Sequence, residues 1–494
     1  MNEDCLNLNI YTPANSQNKS LPVIFSIHSG DFYLQSGKAT PIYGPELLIL
    51  NNVVVVTVNY RLGALGFLSF QTEKLSGNNG LKDVILALKT VHENIHKFGG
   101  DPNKITIRGS GAGAVMGQLL MLTNQTKGLF KSVMVHCGSV LSPNYMQVNP
   151  RDNAKELAKE LGIPWTNDDE VIDKLTYVDA YDIVKAQEAI SKRDPRRGFL
   201  TYRPFKPTVE VAHENAVLTK APLDLLTEGA IQDVVTYTGT NDQEGLVQMP
   251  IITKEPELLD KIDKNLSLVI PDDIKYPEGS IERNNLIKQI REFYLNGGSV
   301  SENMDGYLKL IADLQYTVPV DQFVKLLTAK IKSKVYYYVF GSDTELNWFK
   351  AYEKITHAGA AHNDNLGYTF LTSATRSIYK NLNPTTKATM KNVLGNIQYF
   401  SDKGAPSEDP QAFPEAGPSR HHTVLDNNGA TPVSGPPYAD RTGFWDSVYE
   451  HYQQYALNPP QNTQTDVKTP EPEPEPTKKP AGLLPSVLGL VENT

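Results

Sequence analysis

Residues 53–58 read Val-Val-Val-Val-Thr-Val. Six β-branched residues in a row favour extended backbone and leave no polar side for a solvated sheet face. Such a segment is stable as a strand buried on both faces, as in a parallel sheet covered by helices. The neighbouring sequence fits that requirement. Residues 6–11 alternate apolar and polar, and Leu21–Ile27, Ser132–His136, 233–238 and 334–340 are further strand-like runs. Between them, residues 81–98 place Val84, Leu86, Leu88, Val91 and Ile95 on a broad apolar helical stripe and stop at Gly99-Gly100. A short strand at 105–107 runs through a glycine turn into a helix-forming stretch at 114–122. Strands alternating with helices imply an α/β fold: a mainly parallel sheet with helices on both faces. Segments 150–230 and 250–330 are charged and helical in pattern, and read as insertions around the sheet's upper edge.

Composition narrows the function classes. The net charge of −9 provides no basic face for nucleic acid. No apolar run reaches the ~20 residues needed to span a bilayer, and residues 482–491 are interrupted by Pro485. Met1-Asn2-Glu3-Asp4 does not open a secretory leader. Two cysteines make no disulfide framework, and neither a cofactor motif nor a metal-ligand set is read; His421-His422 is a polar loop pair. Asn18, Asn124 and Asn265 head glycosylation sequons, which favour a secreted route. Residues 403–441, rich in Pro, Gly, Asn and Asp, are expected to form long loops, and the aromatic stretch 444–457 a helix that docks back. The Pro-Glu run beyond Asn458 cannot bury a core. The expected organisation is one large domain over 1–457 with a solvated tail at 458–494.

The segment Gly109-Ser110-Gly111-Ala112-Gly113 lies between the 105–107 strand and the helix that follows. Strand, tight turn and helix with the pattern G-x-S-x-G form the nucleophile elbow of α/β-hydrolases. Here the apex is Gly111, which has no side chain and so no oxygen to attack an acyl carbon. Ser110, one position earlier, is expected to project away from the apex. Taken alone, five small residues also read as a plain glycine-rich turn.

Further segments extend the pattern. Glu3-Asp4-Cys5-Leu6-Asn7-Leu8-Asn9-Ile10, the run Val56-Thr57-Val58-Asn59-Tyr60-Arg61-Leu62-Gly63, and Phe98-Gly99-Gly100-Asp101-Pro102 stand in order ahead of the elbow. With them the chain resembles the type-B carboxylesterase/cholinesterase family over residues 3 to 455. The resemblance implies an α/β-hydrolase fold and puts Glu244, in Thr240-Asn241-Asp242-Gln243-Glu244-Gly245, at the triad acid. It puts His362, in Gly359-Ala360-Ala361-His362, at the triad base. In place of the family's His followed by three glycines and Phe stands His28-Ser29-Gly30-Asp31-Phe32. The implied oxyanion-hole donors are the N–H groups of Gly30, Asp31 and Ala112. An inward Asp31 carboxylate would oppose a developing negative charge; an outward turn aspartate would not.

The resemblance also implies that Cys5 pairs with an upstream cysteine and that the N-terminus is incomplete. Cys137 stands where the family has serine and reads as an inert buried thiol; a Cys5–Cys137 bridge is the alternative. Three functions follow. The first is a non-catalytic extracellular or cell-surface protein binding a protein partner, like the neuroligins, neurotactin and glutactin. The second is a weak hydrolase using His362 and Glu244, and the third is small-molecule binding without turnover. A homodimer through the 444–457 region is one reading of that helix; covering its own subunit's core is the other.

Overall fold

The computed structural model describes residues 2–14, 16, 19–193 and 203–457; Asn18 and the 458–494 tail lie outside them. Nine strands form one sheet: β1 (Leu8–Tyr11), β2 (Leu21–Ile27), β3 (Val54–Val58), β4 (Gly100–Ser110), β5 (Ser132–His136), β6 (Val235–Asn241), β7 (Val335–Phe340), β8 (His422–Asp426) and β9 (Gly429–Val433). Their order is β1-β3-β2-β4-β5-β6-β7-β8-β9. All neighbours run parallel except the outermost pairs, β1 with β3 and β8 with β9. The valine run behaves as its composition demands. Val54, Val56 and Val58 enter the core layer on one face, and Val53 and Val55 enter the layer on the other.

Two expectations are corrected. Residues 403–441 are not only loops, because β8 and β9 form a hairpin there that extends the sheet. His422 accordingly sits in β8 and is buried, with Nδ1 bonded to Gly435 O at 2.8 Å, not in a polar loop. The 105–107 strand is part of the longer β4, whose parallel pairing to β2 and β5 carries extended backbone past its apolar residues.

Helices Ile281–Leu295 and Met304–Ala312 of the 250–330 insertion build a separate hydrophobic cluster with the helix Ala439–Leu457. Trp445 anchors the last of these: it is fully buried, and its Nε1–H donates to Tyr294 Oη at 2.8 Å. The C-terminal helix therefore covers the core of its own chain.

Candidate active site

β4 delivers the chain to Gly111 at the top of the sheet. There φ is +54° and ψ −121°, and the buried helix Ala112–Leu122 begins at the next residue. Gly111 N–H donates to His136 O at 3.0 Å, and Gly111 O accepts from Ala114 N at 3.0 Å. The turn is thus pinned by β5 on one side and by its helix on the other. A Cβ built on Gly111 would lie 3.2 Å from His362 Nε2 and 2.5 Å from Ser29 Oγ. The apex, the base and a hydroxyl from the loop after β2 meet at one point. Ser110 does not replace the missing oxygen: its hydroxyl is buried and bonded to Asn363 Oδ1.

Glu244 and His362 come from the loops after β6 and β7, which an isolated bridge between Gln243 and Ala361 holds side by side. His362 Nδ1 lies 2.7 Å from Glu244 Oε2, and the carboxylate's other oxygen accepts Asn241 N–H at 2.7 Å. Both side chains are buried, and Tyr316 stacks on the imidazole at 4.3 Å. A carboxylate at Nδ1 selects the tautomer with its proton there, leaving Nε2 as the acceptor that faces the apex.

Cys137 completes this group. Burial pushes its thiol well above the ordinary range, and the charge of Glu244 and a hydrogen bond to it push the same way. The thiol stays protonated and donates to the carboxylate. The donor atoms of Cys137, Glu244 and His362 lie within 4.8 Å of one another. The carboxylate is already engaged by Asn241, His362 and Cys137, so the cluster is a hydrogen-bonded relay. Cys5 and Cys137 are both free thiols, which corrects the alternative of a bridge between them.

The loop after β2 supplies backbone donors. Gly30 has φ +94°, and a Cβ there would fall 2.1 Å from Leu34 O, so this position requires glycine. Asp31 and Phe32 follow at φ +52° and +63°. The N–H groups of Gly30 and Asp31 donate to no acceptor among the described residues. Ala112 opens its helix, so its N–H has no intrahelical partner either. Gly30 and Asp31 border a cavity of about 190 Å³ whose walls also include Arg203, Lys206, Tyr316, Trp348 and His362.

Asp31 is half-buried and lines this cavity. Burial pushes the Tyr145 and Tyr316 phenols well up, and the Asp31 charge adds to both shifts. A carboxylate in this wall opposes an oxyanion forming beside it. His28, behind the loop, is neutral: burial pushes its imidazole down to about 4, and it stacks on Tyr60 at 4.4 Å.

The motif order located Gly111, Glu244, His362 and the Gly30–Asp31 loop, and the structure brings them together. It adds Ser29, Tyr316 and the Cys137 contact with Glu244. The signal for Ser29 was its place in His28-Ser29-Gly30, where a hydroxyl replaces the first glycine. Asn124 and Asn265 are exposed, as glycan acceptors must be, and Asn18 falls outside the described residues.

An elbow apex, a His–Glu pair from two later loops and a backbone-donor loop, all on one mainly parallel sheet, define the α/β-hydrolase class. The sequence model of the Carboxylesterase family matches residues 1–445, and the chain belongs to that family. It is 30% identical to venom carboxylesterase-6 of Apis mellifera, over 84% of this chain and 74% of that protein. It is 32% identical to esterase E4 of Myzus persicae, over 74% of this chain and 66% of that one. The chain thus spans roughly two thirds to three quarters of these relatives' length. Among solved structures, juvenile hormone esterase from Manduca sexta, with OTFP covalently attached, superposes with a TM-score of 0.81 at 26% identity. That match covers 91% of this chain and 85% of that one.

Proposed function

We propose that this chain is a carboxylesterase-family protein that binds an ester, or the carboxylate derived from it, without covalent turnover. One observation carries the reading. The point 3.2 Å from His362 Nε2, where a nucleophile's Cβ belongs, has no side chain, and Ser29 Oγ crowds it at 2.5 Å. Removing the serine of such a triad costs roughly a millionfold in turnover. The His362–Glu244 pair can still activate water, which returns ~10²–10⁴-fold. The ligand class follows from the relatives, named as esterases, and from the cavity itself. Trp348, Phe349 and Tyr316 offer aromatic walls, and Arg203, itself paired with Glu188, and Lys206, which donates to Asn144 O, add positive charge to the lining.

The loss of the nucleophile equally accommodates a cell-surface or matrix-binding role, and protein partners or self-association belong to that second reading. The esterase names among the relatives weigh toward ligand binding. An extracellular location is proposed with it, supported by the exposed sequons at Asn124 and Asn265 and by a venom protein among the relatives.

The test pairs binding with labelling. Short-chain p-nitrophenyl esters should quench tryptophan fluorescence saturably through Trp348, with neither burst nor acyl-protein adduct. A fluorophosphonate should leave the intact mass unchanged. A stoichiometric adduct would overturn the absence of covalent chemistry, and no saturable quenching would overturn ligand binding.

A further inference from the structure

Arg108 lies in β4, three residues before the apex, with 1% of its surface exposed. Strand alternation sends it to the opposite face from Ile105 and Ile107, into the layer that holds Met134, Tyr237 and Tyr338. No carboxylate pairs with it among the described residues, and its guanidinium makes no hydrogen bond there. Nε and Nη2 are buried without a partner. Among the described residues its guanidinium lies over the ring of Phe370, 4.7 Å from Cζ to the centroid. A cation–π contact returns less than the desolvation of an unpaired buried charge costs. Burial pulls Arg108 down only to about 10, so the group stays charged at neutral pH.

His136, at the end of β5, stands beside it. Burial, reinforced by the Arg108 charge, holds this imidazole well below its ordinary range, so it is neutral. Tyr338, whose phenol burial pushes well up, keeps its proton, and its Oη is hydrogen-bonded to His136 Nδ1. With the phenol as donor in that pair the imidazole's own proton is on Nε2, and that atom is also buried without a partner. Arg108 and His136 line one small cavity of about 20 Å³, together with Tyr237, Tyr338 and Asn365. Asn365 Oδ1 is a further unpartnered atom. A space of ~10–15 Å³ suffices for one water-sized occupant. This cavity therefore has room for one water-sized occupant, a monatomic ion included, and none for sulfate or phosphate.

We propose that Arg108 and His136 hold one buried halide ion, chloride in ordinary saline, which neutralises the arginine inside the sheet below the elbow. The proposal is independent of any ligand in the larger cavity, since the two spaces have separate linings. It is tested by thermal unfolding of the full chain in sodium chloride or bromide against sodium gluconate at matched ionic strength. The melting temperature should rise by about 1–2 °C per tenfold rise in halide, and not with gluconate. Arg108→Met should abolish that dependence. Should this variant fail to fold, crystals of the unaltered protein grown in bromide provide a second measurement, with an anomalous peak expected between Arg108 and His136. Equal melting in halide and gluconate, a halide slope kept by Arg108→Met, or a cavity holding only water would each overturn the assignment.

Discussion

Gly111 and Ser29 act as a pair. The loop hydroxyl occupies space that an apex side chain would need, so loss of the nucleophile and gain of Ser29 reinforce each other. Gly111→Ser alone should therefore restore no burst with p-nitrophenyl acetate. It should also lose about 1–3 kcal/mol of stability, because serine at φ +54° is strained even before it meets Ser29. Adding Ser29→Gly and Asp31→Gly clears the contact and removes the opposing charge. That triple variant should exceed the single one by more than ~10²-fold in kcat, the scale of one oxyanion interaction. Ordinary esterase rates from Gly111→Ser alone would show Ser29 and Asp31 to be harmless. In the unaltered chain, His362→Ala should lower any residual ester hydrolysis by ~10²–10⁴-fold and change the fluorescence-detected affinity far less, since His362 is one wall of the cavity among several. A parallel loss of affinity would make His362 a binding residue instead of a base.

The elements differ in how far they could be read from sequence, and the difference is physical. β3 was legible because its burial on both faces is written into consecutive β-branched residues. The β8–β9 hairpin was not, because β9 is an edge strand of Gly-Ala-Thr-Pro-Val with no buried residue. Its conformation comes from pairing with β8 and from the short Asn427–Asn428 connection, and a proline is tolerated at such an edge. The acid and base of the site were legible through motif order. The Ser29–Gly111 contact was not, since it joins two loops distant in sequence.

The C-terminal helix was legible as an aromatic stretch, and what it covers came only from the structure. Trp445→Ala should cost about 3–5 kcal/mol in urea unfolding. Trp445→Phe, which gives up the bond to Tyr294 but fills most of the volume, should cost about 1 kcal/mol from that bond plus a small packing loss. Near-neutral effects from both would show that the helix is docked by its other residues.

Across the whole molecule, buried carboxylates set the pH dependence of stability. Burial pushes Asp242, Asp273 and Asp313 up to about 6. Asp313 is the clearest case: it is fully buried, Tyr294 donates to Oδ2 at 2.6 Å, and Oδ1 has no partner. Between 3.8, its ordinary value, and about 6, the folded chain holds a proton here that the unfolded chain has released. Stability must then fall as pH rises through that window, by about 3 kcal/mol from this group. The contribution is fully present below the lower value and gone above the upper one.

Glu210 works in the opposite sense. Burial pushes it up, but Lys82, Ser76, Asn78 and the Val217 N–H outweigh burial and hold it below 4.5. Its contribution is lost as pH falls through its folded value. Glu210 and Asp313 therefore act in opposite senses as pH falls, and the buried neutral His28 opposes Asp313 as well. Asp313→Asn removes the titration while keeping the shape of the side chain. Urea-unfolding free energies at pH 5 and pH 7 should therefore differ less in Asp313→Asn than in the unaltered chain. An unchanged difference would mean that Asp313 is ionised throughout, held so by Arg441, whose Nε lies 3.4 Å from Oδ2.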